Sequence, residues 1–324
     1  MTKAHKLGWL GTGRMGYALA ERLLKAGHDV TVYNRTRAKA EPLAALGARL
    51  VDAPADLADR DIVFTIVAES ADFIAVTTGP NGLLSRSDAA PRIIVDSSTV
   101  SEEASAAVRK AAEARGTALL CAPVSGNPKV VKAGKLSVVV SGPAEAYETA
   151  RPYLALFGRG VSYVGEGERA RIVKICHNVM LGVVTQALAE ITILAEKSGV
   201  PRHAFLDFMN NSVMGSTFTR YKTPAFVNLD FTATFTPPLL KKDLDLGLAA
   251  ARALGVPLPV AALTREIVQA MIGNGYTECD FAALVEVSAK GAGLTLKPEN
   301  VAVDDGLAPP ASEASQHRKE GTKP

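Results

Sequence analysis

Lys174 and Asn178 lie four residues apart in the run Lys174-Ile175-Cys176-His177-Asn178. On a helix that spacing sets two side chains side by side on one face. One is an amine that can take or give a proton, and the other is an amide that both donates and accepts hydrogen bonds. Together they can address a single substrate hydroxyl. The same spacing, taken alone, also fits a snorkelling lysine on a buried helix. His177, three residues from Lys174, borders that face; it could assist proton transfer, or be satisfied by a neighbouring carbonyl or by substrate.

Other stretches offer groups that bind. Gly11-Thr12-Gly13-Arg14-Met15-Gly16 has the G-x-G-x-x-G spacing. Its glycines allow a tight turn, close approach of backbone to a pyrophosphate, and close packing of helix on strand. A glycine turn can also exist without a ligand, but here an apolar strand (6–10) precedes it and a helix-periodic run (17–25), closed by Gly27, follows it. The next strand (29–33) ends at Asn34-Arg35-Thr36-Arg37, where an NAD enzyme would carry an acid for the ribose. A guanidinium and a hydroxyl there suit a 2′-phosphate, which predicts NADP(H) as the preferred cofactor and leaves NAD(H) open. Pro123-Val124-Ser125-Gly126 follows another strand and supplies a hydroxyl and backbone N–H groups suited to a carboxylate.

The elements that must position these groups are readable. From residue 38 to 164, helical segments alternate with short β-rich runs at 61–66, 92–95, 118–120, 137–141 and 161–164, which predicts one doubly wound α/β sheet. Ser98-Thr99 falls after the strand at 93–96, at the sheet end where ligands of such folds gather. Gly165-Glu166-Gly167 ends the alternation. One helical run, 169–198, follows, with apolar residues on all sides, which predicts a buried helix. Lys174, His177, Gln186, Glu190 and Glu196 interrupt it and argue against a membrane span. Further helices are predicted at 202–211, 238–254, 259–273 and 280–289, with a Phe- and Thr-rich link at 226–236. The expected organisation is a Rossmann-type domain (1–164), an all-α domain (165–297) and a disordered tail (298–324) without a catalytic role.

At 324 residues and 48% hydrophobic, the chain can build two substantial cores. A formal charge of +3 with scattered basic residues gives no nucleic-acid surface. Cys121, Cys176 and Cys279 show no CxxC spacing and are expected as reduced, buried thiols, which together with the lack of a signal-peptide core fits a cytoplasmic enzyme. The five histidines have no spacing for a metal site, so none is expected.

These pieces, with Ala122 before the Pro123 loop and Lys242-Asp243-Leu244, resemble the β-hydroxyacid dehydrogenase family over nearly the whole chain to about residue 296. That family includes 3-hydroxyisobutyrate and 6-phosphogluconate dehydrogenases and tartronate-semialdehyde reductase. The resemblance implies hydride transfer between NADP(H) and a small β-hydroxy acid or its semialdehyde. Lys174 would be the general acid/base and Asn178 would orient the reacting oxygen. Ser125, Gly126 and Asn127 would hold the substrate carboxylate. Gly11, Thr12, Gly13, Arg14, Met15, Gly16, Asn34, Arg35, Thr36, Val67, Thr99 and Lys242 would contact the cofactor. The chain departs from the family pattern at Cys121, commonly Asp, at Asn127, commonly Gly, and at Ile66-Val67-Ala68, usually Met-Leu-Pro. An imine reductase or a non-catalytic cofactor-binding protein of the same fold are the alternatives, and Lys174 argues against both. A homodimer or homotetramer built through the α domain is expected, because the long helix is apolar on more than one side.

Overall fold

The computed structural model describes residues 5–308. They divide into two units, one ending at Lys174 and one beginning at Ile175. The first unit runs β1 (Leu7–Leu10), α1 (Arg14–Lys25), β2 (Val30–Tyr33), α2 (Glu41–Ala44), β3 (Arg49–Leu50), β4 (Ile62–Thr65), α3 (Ser70–Thr78), β5 (Ile93–Asp96), α4 (Glu102–Glu113), β6 (Ala118–Cys121), β7 (Val124–Ser125), α5 (Pro128–Lys132), β8 (Leu136–Val140), α6 (Ala144–Ala155) and β9 (Gly158–Tyr163). It closes with the opening of α7 (Arg169–Lys197). Six strands form an all-parallel sheet in the order β3-β2-β1-β4-β5-β6, the Rossmann order.

The strands read as continuous apolar runs because both faces are covered. Trp9, Phe64, Val95 and Leu120 enter one core, and Leu10, Val63, Ile94 and Leu119 enter another. Alternate residues thus serve opposite faces, as strand geometry requires. Trp9 stacks on Phe64 at 5.6 Å between ring centroids and meets Phe157 edge-on.

Residues 137–141 and 161–164 do not extend that sheet, contrary to the sequence expectation. β7, β8 and β9 form a separate three-stranded sheet, with β7 antiparallel to β8 and β8 parallel to β9. Pro123 has no N–H for continuing a ladder, and Gly126, at φ +139°, turns the chain back on itself. A single bridge between Cys121 and Ser141 joins the two sheets. Periodicity reports which faces are buried, and it is silent on which strand lies alongside.

The second unit holds the rest of α7 and then α8 (Arg202–Asn211), α9 (Thr217–Asn228), α10 (Pro237–Ala253), α11 (Pro259–Gly273) and α12 (Leu284–Gly291). No strand occurs among its described residues. Leu188, Ala189, Ile193, Phe226, Leu244, Met271 and Phe281 centre its core. The sequence reading passed over α9, part of which it assigned to a link. Ser216 and Thr219 form a reciprocal capping box that starts this helix despite Pro224 within it.

α7 is not buried all round. Val179, Leu188 and Ile193 pack into the core, whereas Met180, Ile191 and Leu194 are exposed on this chain. By length and composition the helix also passes as long and apolar enough to cross a membrane, despite its interrupting polar residues. Its inward face is occupied by the core of the second unit.

The chain beyond residue 297 differs from a structureless tail as far as it is described. Both Glu299 carboxylate oxygens accept from the first N–H groups of α8, at Arg202 (2.7 Å) and His203 (3.0 Å). Val301 exchanges hydrogen bonds with the Asn228 side chain. A carboxylate on unpaired N–H groups at a helix N-terminus is the reason this stretch stays in place. Residues 309–324 of the expected tail lie outside the described residues.

Candidate active site

The glycine loop joins β1 to α1, and each of its glycines meets a different constraint. At Gly11 (φ +96°) a Cβ would lie 2.1 Å from the Ile66 carbonyl oxygen, and at Gly16 it would lie 2.0 Å from that of Gly11. Only glycine lets α1 and the loop approach β1 and the β4 end this closely. A Cβ at Gly13 would touch nothing within 4 Å. Gly13 is also the N-cap of α1, without a side-chain cap. An exposed backbone and uncapped helix N–H groups make a cradle for phosphate. Beside it, the nearly buried Thr12 hydroxyl has no hydrogen-bond partner. Such an orphan is costly unless something pairs with it. These features fit a dinucleotide.

Asn34 ties the loop to the end of β2. Its Oδ1 accepts from the Thr12 N–H at 2.8 Å, and its Nδ2 donates to the Thr36 carbonyl at 2.8 Å. Arg35 is 83% exposed and pairs with Asp72 at 3.0 Å. A solvated pair of this kind is worth only about 0–1 kcal/mol, so its guanidinium can exchange the carboxylate for a stronger anion. The Thr36 hydroxyl makes no capping bond to the turn that follows it.

At the C-terminal ends of β4 and β5, the Val67 N–H donates to Ser98 Oγ at 2.9 Å. That N–H is therefore committed inside the protein, and any cofactor contact by the Val67 backbone falls to its carbonyl. Ser98 Oγ in turn donates to Asp96 Oδ1 at 2.7 Å, as does the Thr65 hydroxyl at 2.6 Å. Thr99, next in the chain, is half-buried.

At Asn127, where the family commonly has Gly, the side chain turns into α5, where its Oδ1 accepts from the Val130 N–H at 3.1 Å and caps that helix. Its φ of −121° suits any residue, so glycine is not needed there. Ser125 is half-buried and Gly126 exposed.

The turn leading to Lys174 is held by a cluster that sequence reasoning missed. Arg171 is 3% exposed and Asp96 fully buried. Arg171 donates from Nη2 to Asp96 Oδ2 at 2.8 Å, from Nη1 to the Ser98 carbonyl at 3.0 Å and from Nε to Glu168 Oε2 at 3.0 Å. Arg109 donates to Glu168 Oε1 at 2.7 Å and to the Leu119 and Gly167 carbonyls, while the Cys121 thiol donates to Glu168 Oε2 at 3.0 Å. Burial pushes the Glu168 carboxyl up, but hydrogen bonds from Cys121, Ser105 and Arg109 outweigh it and hold the group below its ordinary range. Burial also works against the Arg171 cation, yet the Asp96 charge beside it prevails and raises its pKa. Cys121 is pushed up to about 11, mainly by burial. Taking one partner from such a buried pair costs roughly 3–5 kcal/mol. The available signal was an Asp at the end of an apolar strand and an Arg inside an apolar helix, each needing a partner.

Lys174 follows Arg171 by three residues on α7 and is half-buried. One turn further, within the second unit, Asn178 is nearly buried. Its Oδ1 meets His177 Nδ1 at 2.9 Å and its Nδ2 donates to Asp243 Oδ2 at 2.5 Å. Asp243 Oδ1 is buried without a hydrogen bond, and Lys242 Nζ stands 3.5 Å from it, an ion-pair distance too long for a hydrogen bond. Asp243 too was not singled out from the sequence, although it sits in the quoted Lys242-Asp243-Leu244 run. Among the described residues no cluster of three or more His, Cys, Asp or Glu is placed to hold a metal. Cys176 is exposed, not buried as expected, because it lies on the outward side of α7.

Two family profiles match the chain. One, described as the NAD binding domain of 6-phosphogluconate dehydrogenase, covers residues 6–165. The other, described as NAD-binding of NADP-dependent 3-hydroxyisobutyrate dehydrogenase, covers 168–288. A glyoxylate/succinic semialdehyde reductase 2 of Arabidopsis thaliana is 31% identical over 86% of this chain and 78% of its own. A 3-hydroxyisobutyrate dehydrogenase of Pseudomonas aeruginosa is 33% identical over 81% and 90%. Among solved structures, Mycobacterium tuberculosis 3-hydroxyisobutyrate dehydrogenase with L-serine has a TM-score of 0.76 and 27% identity, covering 88% of this chain and 99% of that one.

Proposed function

The chain belongs to the 3-hydroxyisobutyrate dehydrogenase-like family of NAD(P)-binding oxidoreductases, and on that premise we propose that it interconverts a small β-hydroxy acid and its semialdehyde, with NADP(H) preferred and Lys174 as the general acid/base. The observation that carries this reading is the position of Lys174, on the one stretch of α7 whose first turn is bonded to Ser98 at the C-terminal end of the parallel sheet. Ligands of such sheets bind at that end.

The residues divide the work. Gly11, Thr12, Gly13, Arg14, Met15 and Gly16 would hold the diphosphate, Asn34, Arg35 and Thr36 the 2′-phosphate side, and Val67, Thr99 and Lys242 the rest of the cofactor. Ser125 with the Gly126 and Asn127 amides would anchor the substrate carboxylate. Oxidation of the C–OH sends the carbon's hydride to the nicotinamide and the hydroxyl proton to the Lys174 amine, and reduction reverses both transfers. Asn178, its amide held by Asp243 and His177, orients the oxygen. A free lysine, with a pKa near 10.4, is a poor base at neutral pH, so oxidation should quicken as the pH is raised.

Two relatives bear on the substrate, since the names quoted above for them are those of a semialdehyde reductase and a hydroxy-acid dehydrogenase. The test is a panel of small semialdehydes, glyoxylate and hydroxy acids with NADPH and NADH. Turnover confined to substrates that carry a carboxylate supports the reading, and equal turnover of neutral analogues contradicts it. We also propose self-association through the exposed apolar side of α7, where Leu194 is 69% and Met180 62% exposed. Sedimentation should give a dimer or larger at micromolar concentration, and a monomer there would refute this part.

A further inference from the structure

We propose that Arg171 is a positioning residue that makes the Ser98-Thr99 loop and the Lys174-bearing turn of α7 one rigid piece. The inference rests on the reading of Lys174 as acid/base and extends it to a residue that touches neither cofactor nor substrate. Arg171 uses all three guanidinium nitrogens inside the protein, on Glu168 in the turn just before α7, on the Asp96 carboxylate at the β5 end, and on the Ser98 carbonyl. Asp96 takes Ser98 a second time through its hydroxyl, and Ser98 Oγ takes the Val67 N–H. The segment 96–98 is thereby fixed from both of its sides, with Thr99 directly after it. Phe73 lies under the guanidinium, 5.8 Å from its ring centroid, and Arg109 holds Glu168 from the other side. Arg171 and Lys174 are i,i+3 neighbours, so a shift of one displaces the other.

No other side chain can replace this arrangement. A lysine keeps the charge but offers one ammonium nitrogen in place of three nitrogens in a planar fork, and it cannot span Glu168, Asp96 and the Ser98 carbonyl together. A misplacement of about 1 Å at a reacting group costs on the order of 10²-fold in rate.

The test compares Arg171→Lys and Asp96→Asn with Lys222→Met, which breaks the buried Lys222–Asp280 pair of the second unit and serves as a control for lost stability. All are assayed well below their unfolding temperatures. Arg171→Lys and Asp96→Asn should lose about 10- to 100-fold in kcat while the Kd for NADPH changes less than about threefold, and Lys222→Met should keep its kcat. By hydrogen exchange, peptides covering 97–100 and 168–174 should lose protection together in Arg171→Lys, with the 11–16 loop unchanged. Retained kcat in Arg171→Lys, an equal loss in Lys222→Met, or unaltered protection at 97–100 overturns the proposal. Lys174→Ala in the same assays separates the two ideas. If it keeps turnover, the reading of Lys174 fails; if it is inactive while Arg171→Lys is active, only the role of Arg171 fails. The exchange measurement needs no substrate and stands apart from both.

Discussion

Asn178 and Asp243 share a buried hydrogen bond of 2.5 Å that joins α7 to α10. Because His177 already occupies Asn178 Oδ1, the amide has one orientation, with its nitrogen toward the carboxylate. Asp243→Ala leaves that nitrogen unsatisfied, at a cost of about 1–3 kcal/mol in stability. It should also lower kcat by at least about tenfold, since the amide is then free to flip. Urea unfolding and steady-state rates measure both. A variant with unchanged kcat would show that the bond serves the fold alone.

The cysteines should differ sharply in reactivity. Cys121 is buried, donates to Glu168 and is pushed up to about 11, so it remains a thiol at pH 8. Cys176 is exposed. Since the thiolate is the nucleophile and must also be reached, iodoacetamide at pH 8 should label Cys176 in the native protein and Cys121 only after unfolding. Peptide mass spectrometry reads the result, and prompt native labelling of Cys121 would contradict the buried cluster.

Acid should weaken the second unit through Asp280. Burial pushes its carboxyl up, but the Lys222 charge and hydrogen bond, at 2.5 Å, and the bonds from Thr234 outweigh it and hold the group below the ordinary carboxylate range. A carboxylate depressed on folding contributes stability that is complete above its unfolded value and lost as pH falls through the folded one. The urea midpoint should therefore drop as pH falls through and below the ordinary carboxylate range. Asp280→Asn, less stable throughout, should show a shallower drop over that window. Parallel curves for the two proteins would remove Asp280 as the cause.

The proposed preference for NADP(H) rests on Arg35. A charge-assisted contact to a 2′-phosphate is worth about 1.5–3 kcal/mol, or roughly tenfold or more in affinity. Arg35→Ala should weaken NADPH by that factor and leave NADH nearly unchanged in titrations followed by fluorescence. Equal weakening of both would assign Arg35 to its pair with Asp72 instead.

Local signals carried much of this fold. Glycines at 11 and 16 specify the first turn, Gly11 through its positive φ and both through close backbone approach, while Gly13 leaves the helix start open. The apolar strands of the parallel sheet and the stops of α7 and α8 were equally local. What escaped depends on pairing across distance. The partner of a strand is not encoded in its own alternation, so β8 and β9 were placed in the wrong sheet. Asp96 and Arg171 each signal in sequence the need for a partner, but only the fold shows that they are partners of one another and that Glu168 joins them. Asn127 was read by its missing glycine when its side chain in fact caps α5. Glu299 was read by the Pro- and Lys-rich composition around it, although two carboxylate oxygens on one helix start outweigh that composition.

The most direct measurement is the turnover of Lys174→Ala with NADPH and the best semialdehyde of the panel, alongside the NADPH Kd of the same variant. The account predicts a loss of roughly 10²–10⁴ in kcat with cofactor binding retained, and little recovery in Lys174→Arg, whose guanidinium does not give up its proton in the working range. An alanine variant that keeps most of its turnover would contradict it and move the proton chemistry to another group, with His177 first to be examined.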